Sequence, residues 1–313
     1  MLKENFKILV TAVGTATSIG IIKRIRKERP QWVVIGTDIN KYGYTAGSLL
    51  VDKYYSVPYA TEKNHLSEIK RIIEDNNVDY LWPINDSEIR IISRKGKNLC
   101  DHIMANPEVI TLVFDKYVTA RKMRDIGVMI PRSIEPSDGF VGKCIIRKKE
   151  GVGSTGIRIV DRWGNETVDK DEFVQEFVDG TEYTVDVLCD RQGIPMYVIP
   201  RKRLEVKAGV STKAEIIEDK EIISTVERIL NELVLPGFSN IQFIRSCDGK
   251  LFFIEINPRI GGFSSASLLA APEMFPTFVR LIENNDSQCR ELNKGVAWGM
   301  IVTRYYEEIV YKV

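Results

Sequence analysis

The sequence predicts an α/β protein built in three units: a parallel sheet covered by helices, a small α+β unit, and an antiparallel sheet. Three observations carry this expectation. Up to about residue 113, strand-like apolar runs alternate with segments of helical periodicity. From about 114 to 180, one helix precedes short strands set around a glycine-rich turn. From 181 to 313, β-rich runs follow one another at hairpin spacing.

In the first unit, 1–113, Lys7 to Ala12 is a β-branched apolar run leading into a polar turn with Gly14 and Gly20. Ile19, Ile22 and Ile25 then recur at near-helical spacing, and Trp32 to Gly36 makes a strand ending at Asp38. Leu66, Ile69, Ile72 and Ile73 share one face of a helix over 66–76, and Tyr80 to Pro83 reads as the next strand. Such alternation with short connections implies parallel strands buried on both faces. In the second unit, 114–180, a helix over 116–126 stops at Gly127 and Pro131. Strands at 143–147, 157–160 and 173–178 follow, the first two flanking the turn from Glu150 to Gly156. In the third, 181–313, strands at 183–189 and 196–203 precede a helix over 218–233 and a hairpin from Asn240 to Arg259.

With 44 basic and 43 acidic residues, the net charge is +1, so no global field favours nucleic acid or an anionic membrane. No stretch approaches the roughly 20 apolar residues of a membrane span. The segment MLKENFKILV opens straight onto a strand, without an apolar h-region, so a cytoplasmic protein is expected. Five scattered cysteines and two histidines argue against a disulfide framework, a zinc site or a histidine-rich metal centre.

The hairpin NIQFIRSCDGKLFFIEINPR carries the most chemistry. Asp248-Gly249 suits a two-residue turn, which pairs Cys247 with Lys250, Gln242 with Glu255, and Asn240 with Asn257. Period-two alternation then puts Asn240, Gln242, Glu255 and Asn257 on one face, and Ile241, Phe243, Ile254 and Ile256 on the other. Oxygen donors grouped in this way suit a hard cation such as magnesium, which takes few protein ligands plus substrate phosphates. Arg259, two residues beyond, adds a permanent cation able to fork onto phosphate or carboxylate.

The turn EGVGSTGI follows the strand CIIRKK and lets backbone N–H groups approach phosphate oxygens, although it is not a Walker A motif. Arg147, inside that apolar strand, must find an anionic partner. Backbone from Glu176 to Val178 offers an edge for adenine, and Glu182 an acceptor for ribose hydroxyls. The segment PRKRLEVKAGVSTKAEI gathers Arg201, Lys202, Arg203 and Lys207. Of these, Arg203 and Lys207 are the chosen contacts to triphosphate or acidic substrate.

In order, DKYVTARKMRDIGVMIPRS, CIIRKKEGVGSTGIRIV, VQEFVDGTEYTVDV and NIQFIRSCDGKLFFIEINPRIGG resemble the ATP-grasp superfamily. They are most similar to one synthetase half of carbamoyl-phosphate synthase large subunits and to stand-alone carboxylate–amine ligases. KILVTAVGTATSIG and VVIGTDIN resemble the domain preceding the grasp there. The resemblance implies an ATP-grasp fold with a Rossmann-like N-terminal domain, a lid subdomain and an antiparallel C-terminal subdomain. It implies ATP with magnesium, or manganese in its place, and small carboxylate and amine substrates, and it allows a homodimer. By resemblance, Lys116 and Arg147 contact phosphates and the loop with Gly153 and Ser154 closes over them. Glu176 and Val178 hold adenine, and Glu182 ribose. Gln242, Glu255 and Asn257 bind the metal, and Arg259 stabilises the transferring phosphoryl group.

The implied reaction makes an acyl phosphate that an amine attacks. Because a single grasp unit is present, a carboxylate–amine ligase is expected ahead of carbamoyl-phosphate-synthase-like activation of bicarbonate or carbamate. A nicotinamide-dependent oxidoreductase is disfavoured because VGTATSIG lacks GxGxxG. A nucleotide-binding regulator without turnover is disfavoured by the complete metal-ligand set.

Overall fold

The computed structural model describes residues 5–96, 99–135, 138–151, 156–164, 166–284 and 291–312. The first sheet is parallel, in the order β3 (Lys53–Ser56), β2 (Val33–Asp38), β1 (Lys7–Val10) and β4 (Tyr80–Trp82). Helices α1 (Ala16–Glu28) and α2 (His65–Asn76) lie between its strands in sequence. Thr15 starts α1 by accepting from Ser18 N, and Ser18, Ile21, Ile22 and Ile25 form its buried stripe. The expected Ile19 is only half-buried, because the true stripe runs one position away on the wheel.

Helices α3 (Asp86–Lys95), α4 (Pro107–Phe114) and α5 (Lys116–Asp125) connect this sheet to the rest. Only α5 has an expectation above. Asp115 ends α4 and caps α5, its side chain accepting from Tyr117 N and Val118 N, both at 3.0 Å. A three-stranded antiparallel sheet follows, with β5 (Cys144–Lys148) between β6 (Arg158–Val160) and β7 (Glu172–Glu176).

The largest sheet has six strands in the order β12-β11-β8-β9-β10-β13, all neighbours antiparallel. These are β8 (Gly180–Cys189), β9 (Pro195–Lys207), β10 (Val210–Ile216), β11 (Gly237–Ser246), β12 (Leu251–Asn257) and β13 (Ile301–Thr303). One face buries Val185, Val187, Val198, Ile241, Phe243, Phe253 and Ile256 against Ile222, Val226 and Ile229 of α6 (Lys220–Glu232). The opposite face floors a cleft. Among the described residues, no helix is long and apolar enough to cross a membrane.

The parallel sheet is joined to this large sheet by aromatic packing. Phe278, from α7 (Met274–Ile282), meets Trp82 of β4 at 4.6 Å and Phe238 of β11 at 4.7 Å between ring centroids. Arg29 and Glu283 pair at 2.9 Å nearby. Phe278 is 1% exposed, so Phe278→Ala removes its contacts with Trp82, Phe238 and Tyr80 and leaves a cavity at the seam. The variant is expected to lose about 3–5 kcal/mol of stability, read as a lowered midpoint in urea unfolding.

Candidate active site

Strand pairing fixes the polar floor of the cleft. Asn240 pairs with Asn257 and Gln242 with Glu255, as the hairpin arithmetic requires. The route to that register differs from the expectation. Cys247, Asp248 and Gly249 form a three-residue turn: Ser246 N donates to Lys250 O at 2.9 Å, and Gly249 has φ +87°. This shifts the pairs near the turn, so Phe243 faces Phe253. A bulge at Ile254 then restores the register at Gln242 and Glu255. Phe253 therefore takes the core-facing place expected for Ile254, and Ile254 lines the cleft instead.

Glu255 sits at the centre. Its Oε2 lies 3.1 Å from Arg147 Nη2 and 3.7 Å from Lys116 Nζ, while Oε1 accepts from Asn257 Nδ2 at 3.1 Å. Lys116, at the start of α5, also donates to Gly151 O at 2.5 Å. Burial opposes ionisation of Glu255, but Lys116 and Arg147 outweigh it and hold the carboxyl below the usual carboxylate range. Burial lowers the pKa of Arg147 and of Lys116 against the pull of Glu255. Arg147 thus has a carboxylate partner inside the protein, yet its buried Nε has no hydrogen-bond partner among the described residues. That spare donor suits an anionic oxygen.

Arg259 lies at the end of the floor, held by Asp86 of α3: Nε bonds Oδ1, and Nη2 donates to Oδ2 at 2.9 Å. Burial disfavours its charge, but Asp86 more than compensates and raises the pKa. Further along the floor, Asp186 accepts from Arg201 Nε at 2.7 Å, Asn240 Nδ2 at 3.0 Å, and Ser264 and Ser267 Oγ at 2.6 Å each. Burial opposes the charge of Asp186, and these donors, Arg201 foremost, still keep its pKa low.

The other expected residues are placed as follows. Val178, Glu176 and Glu182 line the cleft with Pro131, Ile145 and Ile254. Glu176 N donates to Arg132 O at 2.9 Å and Phe177 N to Lys143 O at 3.0 Å. Two N–H groups of the supposed adenine edge are therefore engaged within the protein. Glu182 Oε2 accepts from Arg203 Nη1 at 2.6 Å, and Arg203 also reaches Ser211 Oγ and Gly209 O. Lys207 stands at the exposed β9–β10 turn, 3.2 Å from Glu205, and does not line the cleft. Gly153 and Ser154 lie outside the described residues.

Asp86 and Asp186 go unmarked in the sequence reading. Their signals are an acid just after the capping Asn85 and a lone acid within the apolar run TVDV. Gln242, Glu255 and Asn257 present one carboxylate and two carboxamides, a hard-oxygen set suited to magnesium beside phosphate. Among the described residues, no three His, Cys, Asp or Glu side chains group as a metal centre. The cleft has a volume of about 320 Å³, near the lower end of small-molecule sites.

Residues 113–263 match the ATP-grasp domain family. Ahead of them, residues 8–104 match the PylC-like N-terminal domain. The chain is 30% identical over 194 residues to a D-alanine--D-alanine ligase of Aquifex aeolicus, covering 54% of this chain and 66% of that relative. It therefore spans just under two thirds of the relative's length. The biotin carboxylase domain of Hydrogenobacter thermophilus 2-oxoglutarate carboxylase, in complex with MgADP, superposes with a TM-score of 0.73 at 15% identity. That match covers 96% of this chain and 74% of the other. Staphylococcus aureus N5-carboxyaminoimidazole synthetase superposes at 0.71 and 13% identity, covering 92% and 80%. At such identities these neighbours establish the fold: an ATP-grasp arrangement with a parallel N-terminal sheet and antiparallel sheets beyond it.

The lowered pKa of Glu255 has a defined pH consequence. Its ionisation stabilises the folded chain above the ordinary glutamate value of 4.5, and that contribution is lost as pH falls through the lower folded value. Glu255→Gln lacks this term. Urea midpoints of wild type and Glu255→Gln are expected to be separated by a constant amount above about pH 5 and to shift relative to each other below it, against wild type.

Proposed function

We propose that this chain is an ATP-dependent carboxylate–amine ligase that works through an acyl phosphate. The observation carrying the reading is Glu255, half-buried at the cleft floor and shared between Lys116 and Arg147 beside two carboxamides. The match to the ATP-grasp domain family and the D-alanine--D-alanine ligase relative support it.

Lys116 and Arg147 exchange Glu255 for phosphate oxygens when ATP enters, and so leave the carboxylate free to join Gln242 and Asn257. Gln242, Glu255 and Asn257 would hold magnesium, or manganese, which would supply positive charge against the phosphates during phosphoryl transfer. Glu176 and Val178 flank adenine, and Glu182 meets ribose. A substrate carboxylate oxygen attacks the γ-phosphorus, and ADP leaves. Arg259 offsets charge on the transferring group. The amine then attacks the acyl carbon, and phosphate departs with the oxygen that came from the acid. Arg203, bonded to Glu182, is the proposed contact on the triphosphate or acid side. Positioning and charge supply the catalysis, in keeping with a chain that has only two histidines.

The three sheets support divisions at 1–113, 114–180 and 181–313. Partners are small carboxylates and amines, the location is the cytoplasm, and a homodimer is compatible with the fold. Bicarbonate belongs among the acids to be tried, since the same step on it gives carboxyphosphate.

Glu255→Gln is expected to lower acid-dependent ADP release by about a hundredfold or more while circular dichroism stays native-like. Wild type with its acid and hydroxylamine should yield a hydroxamate that the variant does not form. Full turnover by Glu255→Gln would place the metal site elsewhere.

A further inference from the structure

Helix α3 presents Asp86 and Arg90, one turn apart on the same face, to the cleft side of the molecule. Arg90 Nη1 donates to Glu150 Oε2 at 2.5 Å, and its guanidinium stacks 4.2 Å over Phe114. Asp86 engages Arg259 through both carboxylate oxygens. Glu88 anchors the opposite side of α3 by accepting from Thr11 Oγ1 at 2.5 Å, and Ile89 and Ile92 are buried. The helix is therefore a rigid mount for Asp86.

Asp86 is not needed to start α3, because Asn85 caps it by accepting from Ser87 N at 2.8 Å. Its side chain is 4% exposed, and burying a carboxylate there is costly unless it is paired. The pair it makes is with Arg259, a residue 173 positions away in sequence. The fork uses the Nε and Nη2 side of the guanidinium, while Nη1 donates to Ile260 O at 3.2 Å and keeps one further N–H. The other carboxylate that acts on Arg259 is Glu255. The two-bond pairing with Asp86 competes with that attraction.

We infer that Asp86 is a positioning residue for phosphoryl transfer. It holds Arg259 by one edge, so that the remaining donors face the cleft and Glu255 stays available to the metal. The inference rests on the ligase reading and adds to it a residue from the N-terminal unit, outside the ATP-grasp match at 113–263.

The test uses the intact chain and calorimetric binding of MgADP, with and without aluminium fluoride as a mimic of the transferring phosphoryl group. Wild type should bind MgADP and tighten when aluminium fluoride is added. Asp86→Asn should bind MgADP within about threefold of wild type, which also reports a native cleft, yet lose about tenfold or more of the tightening. Asp86→Glu should recover part of it. Full tightening in Asp86→Asn overturns the inference and leaves the ligase reading standing. Loss of MgADP affinity and tightening together, with Asp86→Glu no better, marks a structural role and also overturns it. A wild-type chain that does not bind MgADP sinks the ligase reading, and this inference with it.

Discussion

Glu255 is a carboxylate held at the bottom of a cleft, and the rest of the site is arranged around keeping it ionised there. Its burial alone would favour the neutral acid. Two cations from different elements prevent that: Lys116 from the first turn of α5 and Arg147 from the middle of β5. Neither cation is local in sequence to β12, so the three-stranded sheet, α5 and the six-stranded sheet must all be in place before the charge is satisfied. Removing one partner of a buried pair typically costs about 3–5 kcal/mol, which makes this cluster a fold constraint as well as a chemical one. The same cluster is poised for exchange, since phosphate oxygens and a divalent cation can take over both sides of the pairing.

Further along the floor, the same logic recurs with a different outcome. Asp186 is saturated by Arg201, Asn240, Ser264 and Ser267, so it acts as a fixed strut that locks the strands and the turn after Arg259. Asn240 gives its Nδ2 to that strut, whereas Asn257 gives its own to Glu255. This separates Asn240 from Asn257, although all four floor residues alternate onto one face. Arg259 is held from the opposite direction, by Asp86. Lys116, Arg147 and Arg259 outnumber Glu255 and Asp86 in this cluster, and an excess of positive charge suits a polyphosphate.

Much of this was legible in the residues. Alternating strands and helices announced the parallel sheet, and the pairing of Gln242 with Glu255 followed from counting out of a turn. That count succeeded through two offsetting departures, a longer turn at Gly249 and a bulge at Ile254, neither of which leaves a firm mark in a single sequence. The need of Arg147 for an anion was also legible, but which anion was not, because Glu255 lies 108 residues away. Asp86 and Asp186 were opaque for the same reason: a buried acid is recognised by its partners, and the partners are supplied by tertiary structure. Lys207 illustrates the reverse, a basic residue in a promising segment that β-hairpin geometry leaves on an exposed turn beside Glu205.

The central claim is that a substrate carboxylate oxygen becomes bonded to the γ-phosphorus in the cleft above Glu255. It is tested most directly by supplying the acid labelled with oxygen-18 in its carboxylate and analysing the inorganic phosphate by mass spectrometry. Passage through an acyl phosphate predicts one labelled oxygen in each phosphate formed together with amide product. Phosphate that carries no label, from a reaction that does form the amide, would contradict the account.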